Sequence, residues 1–227
     1  MYDKTMGERG PLPKEKIKIR WSRNFAYAIG LISSDGSLSK NGRHISFVSK
    51  DKDQVLNFIK ALHLKNIKIG KNYSGQYKSL SYRVQFGSVF FYNFLLSLGL
   101  TPNKSKSIGK LNIPDKFFFD FLRGVFDGDG STYSYWDKRW RSSFMFYTEF
   151  ASASEDHIFW LRNKIYEKLA ISGHVTRDGK GSTLQLKYAK AESVVLLKKM
   201  FGPGRYLFLK RKRLKINKML CIVGEKV

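Results

Sequence analysis

The chain has 227 residues, enough for one large or two small domains with a real core. Its 42 lysines and arginines stand against 18 acids, a formal charge of +24, while 42% of residues are apolar and 15% aromatic. That balance excludes a disordered chain and points to a polyanionic partner, most simply nucleic acid. A single cysteine, Cys221, excludes an internal disulfide and thiolate zinc clusters. His44, His63, His157 and His174 are scattered without metal-ligand spacing, so each reads as a surface or packing residue. No run is long and apolar enough to span a membrane, and the charged N-terminus has no signal-peptide core. An intracellular, soluble protein is expected.

In chain order, residues 1–20 are polar and basic, carry Pro11 and Pro13, and read as a tail. Residues 28–36, AIGLISSDG, close a helical pattern in which Phe25, Ala28, Ile29 and Ile32 recur before Asp35. Asn41-Gly42 then marks a hairpin between two short strands within residues 37–49. An amphipathic helix follows over 52–64, with Val55, Leu56, Ile59 and Leu62 on one side. Residues 67–73 and 81–86 read as a second hairpin, 89–98 as a closing helix, and 103–111 (NKSKSIGKL) as a basic segment.

The order then repeats. Phe118, Phe121, Leu122 and Val125 set a helical pattern that runs into residues 122–130, LRGVFDGDG. A hairpin over 130–135 and 142–151 turns at Asp137-Lys138, and Ser154 with Glu155 and Asp156 starts a helix reaching about residue 169. Strands at 175–177 and 183–188 flank Asp178-Gly179, a helix over 191–200 closes the unit, and a second basic segment, LKRKRLKI, fills 209–216.

Each half is therefore helix, hairpin, helix, hairpin, helix. Aligning them pairs Gly30 with Gly124, Asp35 with Asp129 and Gly36 with Gly130, a constant offset of 94. A lone Asp-Gly is an ordinary turn signal. Two, each ending a glycine-containing apolar run, predict a pseudo-twofold site with one carboxylate from each half. Glycine inside a helix costs about 1 kcal/mol relative to alanine, so Gly30 and Gly124 are expected where two helices approach closely. Gly36 and Gly130 are expected to end those helices in the left-handed conformation. Two aspartates meeting at helix C-termini repel unless a cation lies between them, and oxygen ligands suit Mg²⁺ better than Zn²⁺. Aligning the basic segments pairs Lys104 with Lys210 and Lys106 with Lys212.

The two stretches resemble the paired motifs of LAGLIDADG homing endonucleases in the single-chain form, through Gly30, Leu31, Ile32, Asp35 and Gly36 and through Leu122, Gly124, Asp127, Asp129 and Gly130. Ser33 and Ser34 depart from the motif, but the eighth-place acid, metal-binding in that family, is present in both. The resemblance implies an α+β fold of two αββαββα halves whose antiparallel sheets form a DNA saddle around the paired helices. It places a tail at 1–20, a first half with linker at 21–112 and a second half at 113–227. It also implies a monomeric enzyme that cuts one phosphodiester per strand of a long double-stranded DNA site, leaving short 3′ overhangs. Asp35 and Asp129 would hold two or three Mg²⁺ ions, helped by the carbonyls of Ser34 and Gly128. Mn²⁺ would substitute, and Ca²⁺ would support binding without cleavage. A basic residue after each closing helix borders the active site in that family, and the alignment favours Lys106 and Lys212.

Base reading is expected from strand side chains facing the major groove, with Arg43, Lys50, Arg83, Gln85, Arg139, Arg141, Arg177, Gln185 and Lys187 as candidates. An intron-encoded enzyme is expected rather than an intein-embedded one, since the chain begins without cysteine and does not end in His-Asn. The competing readings are a maturase that binds intron RNA on the same scaffold and a DNA-binding regulator without catalysis.

Overall fold

A computed structural model describes residues 17–74, 79–140, 142–177 and 183–227. The first half runs α1 (Arg23–Asp35), β1 (Gly36–Leu38), β2 (His44–Ser49), α2 (Lys52–Ala61), β3 (Gly70–Ser74), β4 (Ser79–Gly87) and α3 (Val89–Ser97). The second runs α4 (Phe118–Asp129), β5 (Gly130–Trp136), β6 (Phe144–Ser152), α5 (Glu155–Leu169), β7 (His174–Arg177), β8 (Leu184–Tyr188) and α6 (Lys190–Phe201), followed by α7 (Lys210–Ile222). The expected α+β order of two αββαββα halves is what forms. Each half has one four-stranded antiparallel sheet, ordered β1-β2-β4-β3 and β5-β6-β8-β7.

Strand alternation sorts each sheet into a core face and an outer face. Ile45, Phe47, Val84 and Phe86 are buried in the first sheet, and Phe144, Phe146, Phe150, Leu184 and Leu186 in the second. The apolar faces of the helices cover them. Ser22 and Ser88 begin α1 and α3 by accepting hydrogen bonds from the N–H groups of Phe25 (3.1 Å) and Phe91 (3.2 Å), an ordinary N-cap. Among the described residues no helix is long and apolar enough to cross a membrane.

The centre is the pairing of α1 with α4. A Cβ on Gly30 would lie 2.1 Å from the Phe121 carbonyl oxygen, and one on Gly124 would lie 2.1 Å from that of Tyr27. The contacts are reciprocal, and both members of each pair are 94 positions apart, so the sequence repeat is a structural twofold. Only glycine permits this approach. Gly128 extends it, since a Cβ there would sit 2.0 Å from the Ser34 Oγ.

Two expectations need correcting. Gly36 and Gly130 are extended (φ −83° and −86°), not left-handed. Each helix passes straight into a strand, and a Cβ would strike the preceding turn, 2.6 Å from the Ile32 Cα or 2.5 Å from the Phe126 Cδ2. Glycine is needed there for space rather than for a positive φ. The two basic segments also differ in structure. Lys104–Lys106 is a single 3₁₀ turn, whereas the second segment lies in the 13-residue helix α7.

Candidate active site

Because α1 and α4 end side by side, Asp35 and Asp129 meet where both helices give way to strands. Asp35 is half-buried, while Asp129 is reached by solvent on the floor of a concavity. Burial, then the negative charge of Asp129, raises the Asp35 carboxyl to about 6, against the pull of Lys212 and Lys104. Burial also raises Asp129, again opposed by Lys104 and Lys212. Neither carboxylate is in an ion pair among the described residues.

The two lysines reach the site through its carbonyls. Lys212 Nζ donates to the carbonyls of Phe126 (2.6 Å), Asp127 (2.9 Å), Gly128 (3.3 Å) and Gly130 (2.6 Å), the free C-terminal carbonyls of α4. Lys104 Nζ donates to Gly36 (2.6 Å) and Ser34 (3.3 Å) at the end of α1. An ammonium at a helix C-terminus also opposes the negative end of the dipole. Ser34 and Gly36 are the counterparts of Gly128 and Gly130, so Lys104, not Lys106, is the structural partner of Lys212. Lys106 is exposed on the far side of the turn. The alignment misses by two positions because a 3₁₀ turn and an α-helix deliver a side chain to one place from different sequence distances. Burial lowers Lys104 and takes Lys212 down to about 8, with the nearby aspartates pulling both back up.

The residues that depart from the motif have separate jobs. Ser33 and Ser34 turn their hydroxyls onto the Gly30 carbonyl at 2.7 and 3.2 Å, satisfying them inside the helix pair. Asp127, the counterpart of Ser33, is fully enclosed and accepts from the Tyr27 hydroxyl and the Leu209 N–H, both at 2.7 Å. It anchors the start of α7, and hence Lys212. Burial raises its carboxyl to about 6 despite these donors. Arg123, 1% exposed, pairs with Asp120 at 2.7 Å and ties down the Met200 and Leu207 carbonyls.

The donor set fits a hard divalent cation. It offers two carboxylates without ion-pair partners, plus the Ser34 and Gly128 carbonyls, whose lysine contacts are the longest in each cradle. Among the described residues no group of three or more His, Cys, Asp and Glu could hold a metal, so water would complete the shell.

The remaining candidates are spread over the sheets. Arg83 and Gln85 share the exposed outer face of β4, hydrogen-bonded to each other. Gln185 and Lys187 share the outer face of β8, opposite Ala151 and Glu149. Arg43 and Lys50 are exposed at the two ends of β2. Arg139 sits at the β5–β6 turn, folded onto Asp137 at 3.1 Å. Arg141 lies outside the described residues, as do residues 1–16 of the expected tail and the Asp178-Gly179 turn. Arg177 is misplaced by the sequence reading. Its register partner is Leu184, so it shares the core-side face and turns to Glu155 at 3.2 Å on α5. The outer-face residues of that strand are His174 and Thr176, which pair with Lys187 and Gln185.

Sequence reasoning also missed a tyrosine rack. Tyr133 and Tyr147 stack with centroids 5.0 Å apart, Tyr135 lies 6.4 Å from Tyr147, and all three stand on the outer face of the second sheet. Their signal was present as Tyr133 and Tyr135 two places apart on one strand.

No family model matches the sequence, and no curated protein matches it. Solved structures do match in shape. The homing endonuclease I-WcaI bound to its DNA recognition sequence superposes with a TM-score of 0.60 at 14% identity, over 93% of this chain and 95% of that one. This is the LAGLIDADG two-half fold. The homing endonuclease I-DmoI in complex with DNA and Ca shares it with a TM-score of 0.54 at 13% identity, over 86% of this chain and 97% of that one. Full-length DUF199/WhiA from Thermatoga maritima gives a TM-score of 0.57 at 17% identity, over 94% of this chain. The chain spans 65% of the length of that protein. LAGLIDADG folds thus include DNA endonucleases, and at these identities the likeness is one of fold.

Proposed function

We propose that this chain is a sequence-specific, divalent-metal-dependent DNA endonuclease that hydrolyses one phosphodiester in each strand. The observation that carries this reading is the meeting of Asp35 and Asp129 at the ends of the paired helices, each beside a lysine held by that helix's carbonyls. Asp35, Asp129 and the carbonyls of Ser34 and Gly128 would hold Mg²⁺, with Mn²⁺ as a substitute and Ca²⁺ supporting binding alone. Bound there, the metal supplies charge neutralisation and an activated water.

The chain's own residues do the rest. The carboxylates orient toward the backbone of each strand, and Lys104 and Lys212 oppose the negative charge gathered at the scissile phosphates. The role first assigned to Lys106 passes to Lys104. Arg83, Gln85, Gln185, Lys187 and the tyrosine rack face the bases from the outer sheet faces, while Arg43, Lys50 and Arg139 meet the phosphates. The partner is a long double-stranded DNA site bound by a monomer, and the gene setting is an intron.

A DNA-binding regulator that does not cleave is the second reading. One observation favours it: the two lysines already place cations against the Ser34 and Gly128 carbonyls, which partly neutralises the site without metal. Cleavage of a randomised double-stranded library with Mg²⁺ decides between them, with Ca²⁺, Asp35→Asn and Asp129→Asn as controls. One long site cut only with Mg²⁺, and not by either variant, supports the endonuclease. Binding to one site without any cutting supports the regulator. Tight binding to structured RNA instead would point to a maturase.

A further inference from the structure

A cavity of about 290 Å³ lies against one side of the aspartate pair, lined by Ser33, Ser34, Lys104, Asp129, Ala153 and His157 among others. Most of that lining serves the site already described. His157 does not, and its chemistry is unusual. It is the third residue of α5 and only 4% exposed, held 5.3 Å from Trp160 between ring centroids. Its Nδ1 lies 2.9 Å from the Gly109 carbonyl oxygen. A carbonyl oxygen only accepts, so Nδ1 carries the proton and Nε2 keeps a free lone pair. Among the described residues Nε2 has no protein partner. Burial holds the ring neutral, taking it down to about 4; the Gly109 bond opposes this and the charge of Lys104 adds to it.

The other half shows what this position does when it is purely structural. Gln54 is the third residue of α2 and the counterpart of His157. Its Nε2 donates to the Asp127 carbonyl at 2.9 Å and its Oε1 accepts from the Ser49 hydroxyl at 2.6 Å. Both polar ends of Gln54 are used within the protein. His157 uses one and turns the other to a polar cavity that also holds Asp129 and Lys104. A cavity of this size and polarity holds water when two or more polar groups converge on it.

We propose that His157 is a positioning residue: its Nε2 holds an ordered water in this cavity beside the Asp129 carboxylate, on one side only of the pseudo-twofold site. The water donates one O–H to Nε2, and its oxygen is left for Lys104 and the reacting centre. The inference rests on the endonuclease reading for its consequence in catalysis, but not for the tautomer or the water. Because Gln54 has no free polar end, the two strands of a substrate are served unequally. Losing the Nε2 acceptor slows one strand, whereas a purely structural loss slows both.

The test uses the full chain and a supercoiled plasmid carrying the site selected from the library, with each strand end-labelled. His157→Asn keeps a donor for Gly109 and removes the acceptor in the cavity. His157→Gln returns a polar end at the place of Nε2. The expected result is that His157→Asn cuts one strand about 10- to 100-fold more slowly, so nicked circles accumulate, with unchanged DNA affinity. His157→Gln recovers most of the loss. Equal slowing of both strands, or wild-type rates in His157→Asn, overturns the proposal. A second arm does not depend on cutting: nitrogen-detected NMR of the imidazole and a high-resolution crystal structure. An Nδ1–H tautomer with a water on Nε2 supports the proposal, even if the wild type proves inert and the endonuclease reading falls. A protonated Nε2, or a dry cavity, overturns it.

Discussion

Gly30→Ala is the sharpest probe of the helix pair. In an isolated helix the substitution would stabilise by about 1 kcal/mol. Here the new Cβ would lie 2.1 Å from the Phe121 oxygen, 2.8 Å from the Val125 nitrogen and 2.9 Å from the Gly124 Cα. All three are backbone atoms, so no rotamer change relieves the clash, and α1 and α4 must separate by about 1 Å. A gap of that size forfeits about a quarter to a half of each dispersion contact across it. Tyr27, Leu31, Phe121, Leu122 and Val125 are all buried in this region, each contributing about 1.5–3 kcal/mol by burial. Losing about a quarter of five such terms costs roughly 2–4 kcal/mol, a net loss of about 1–3 kcal/mol after the gain in propensity. Urea unfolding followed by circular dichroism measures it. Gly124→Ala should cost a similar amount, and the double variant less than the sum, because helices already apart accommodate the second methyl. Gly109→Ala, whose Cβ would meet only the Asp156 Cβ at 3.9 Å, is the control. A Gly30→Ala protein as stable as the wild type would refute the close-packed junction.

Asp120→Ala strands the buried Arg123 guanidinium and should cost about 3–5 kcal/mol, whereas Arg23→Ala, at the exposed end of the same cluster, should cost under about 1 kcal/mol. Denaturant midpoints distinguish the two. Lys104→Met and Lys212→Met each remove charge-assisted bonds to helix-end carbonyls and should lower stability by about 1.5–3 kcal/mol. Lys106→Met should leave the melting temperature unchanged, and a loss equal to that of Lys104→Met would reverse the assignment. The His157 ring titrates at about 4 in the fold against its ordinary 6.5, so its contribution is complete above pH 6.5. That contribution drains as the unfolded chain takes up protons between pH 6.5 and 4, a loss of about 3 kcal/mol. The raised Asp127 carboxyl works in the opposite sense, stabilising the fold as pH falls through about 6. Asp127 is common to both proteins, so the stability difference between wild type and His157→Asn isolates the histidine, and a pH-independent difference would contradict the buried neutral ring.

The repeat itself was legible in the chain. The offset of 94 that pairs Asp35 with Asp129 also pairs Gly30 with Gly124, and both pairs meet in the fold because glycine is the only residue that lets two helix backbones touch. Alternation placed Arg83 and Gln85 correctly on one strand face, since a period of two needs no tertiary knowledge. Arg177 was misread because register, not composition, decides a face. A strand paired through Leu184 turns its arginine toward α5, and a shift of one residue would reverse it.

Composition and repeat thus determined the charge, the two halves and the acids at their junction, all set by local periodicity and by residue types with few conformational alternatives. Tertiary structure decided which lysine reaches each helix end, why Gly36 and Gly130 must be glycine, and that His157 turns a free nitrogen to the cavity beside Asp129. Those outcomes depend on where a 3₁₀ turn, a helix and a carbonyl from distant parts of the chain converge, and sequence spacing carries no measure of that distance.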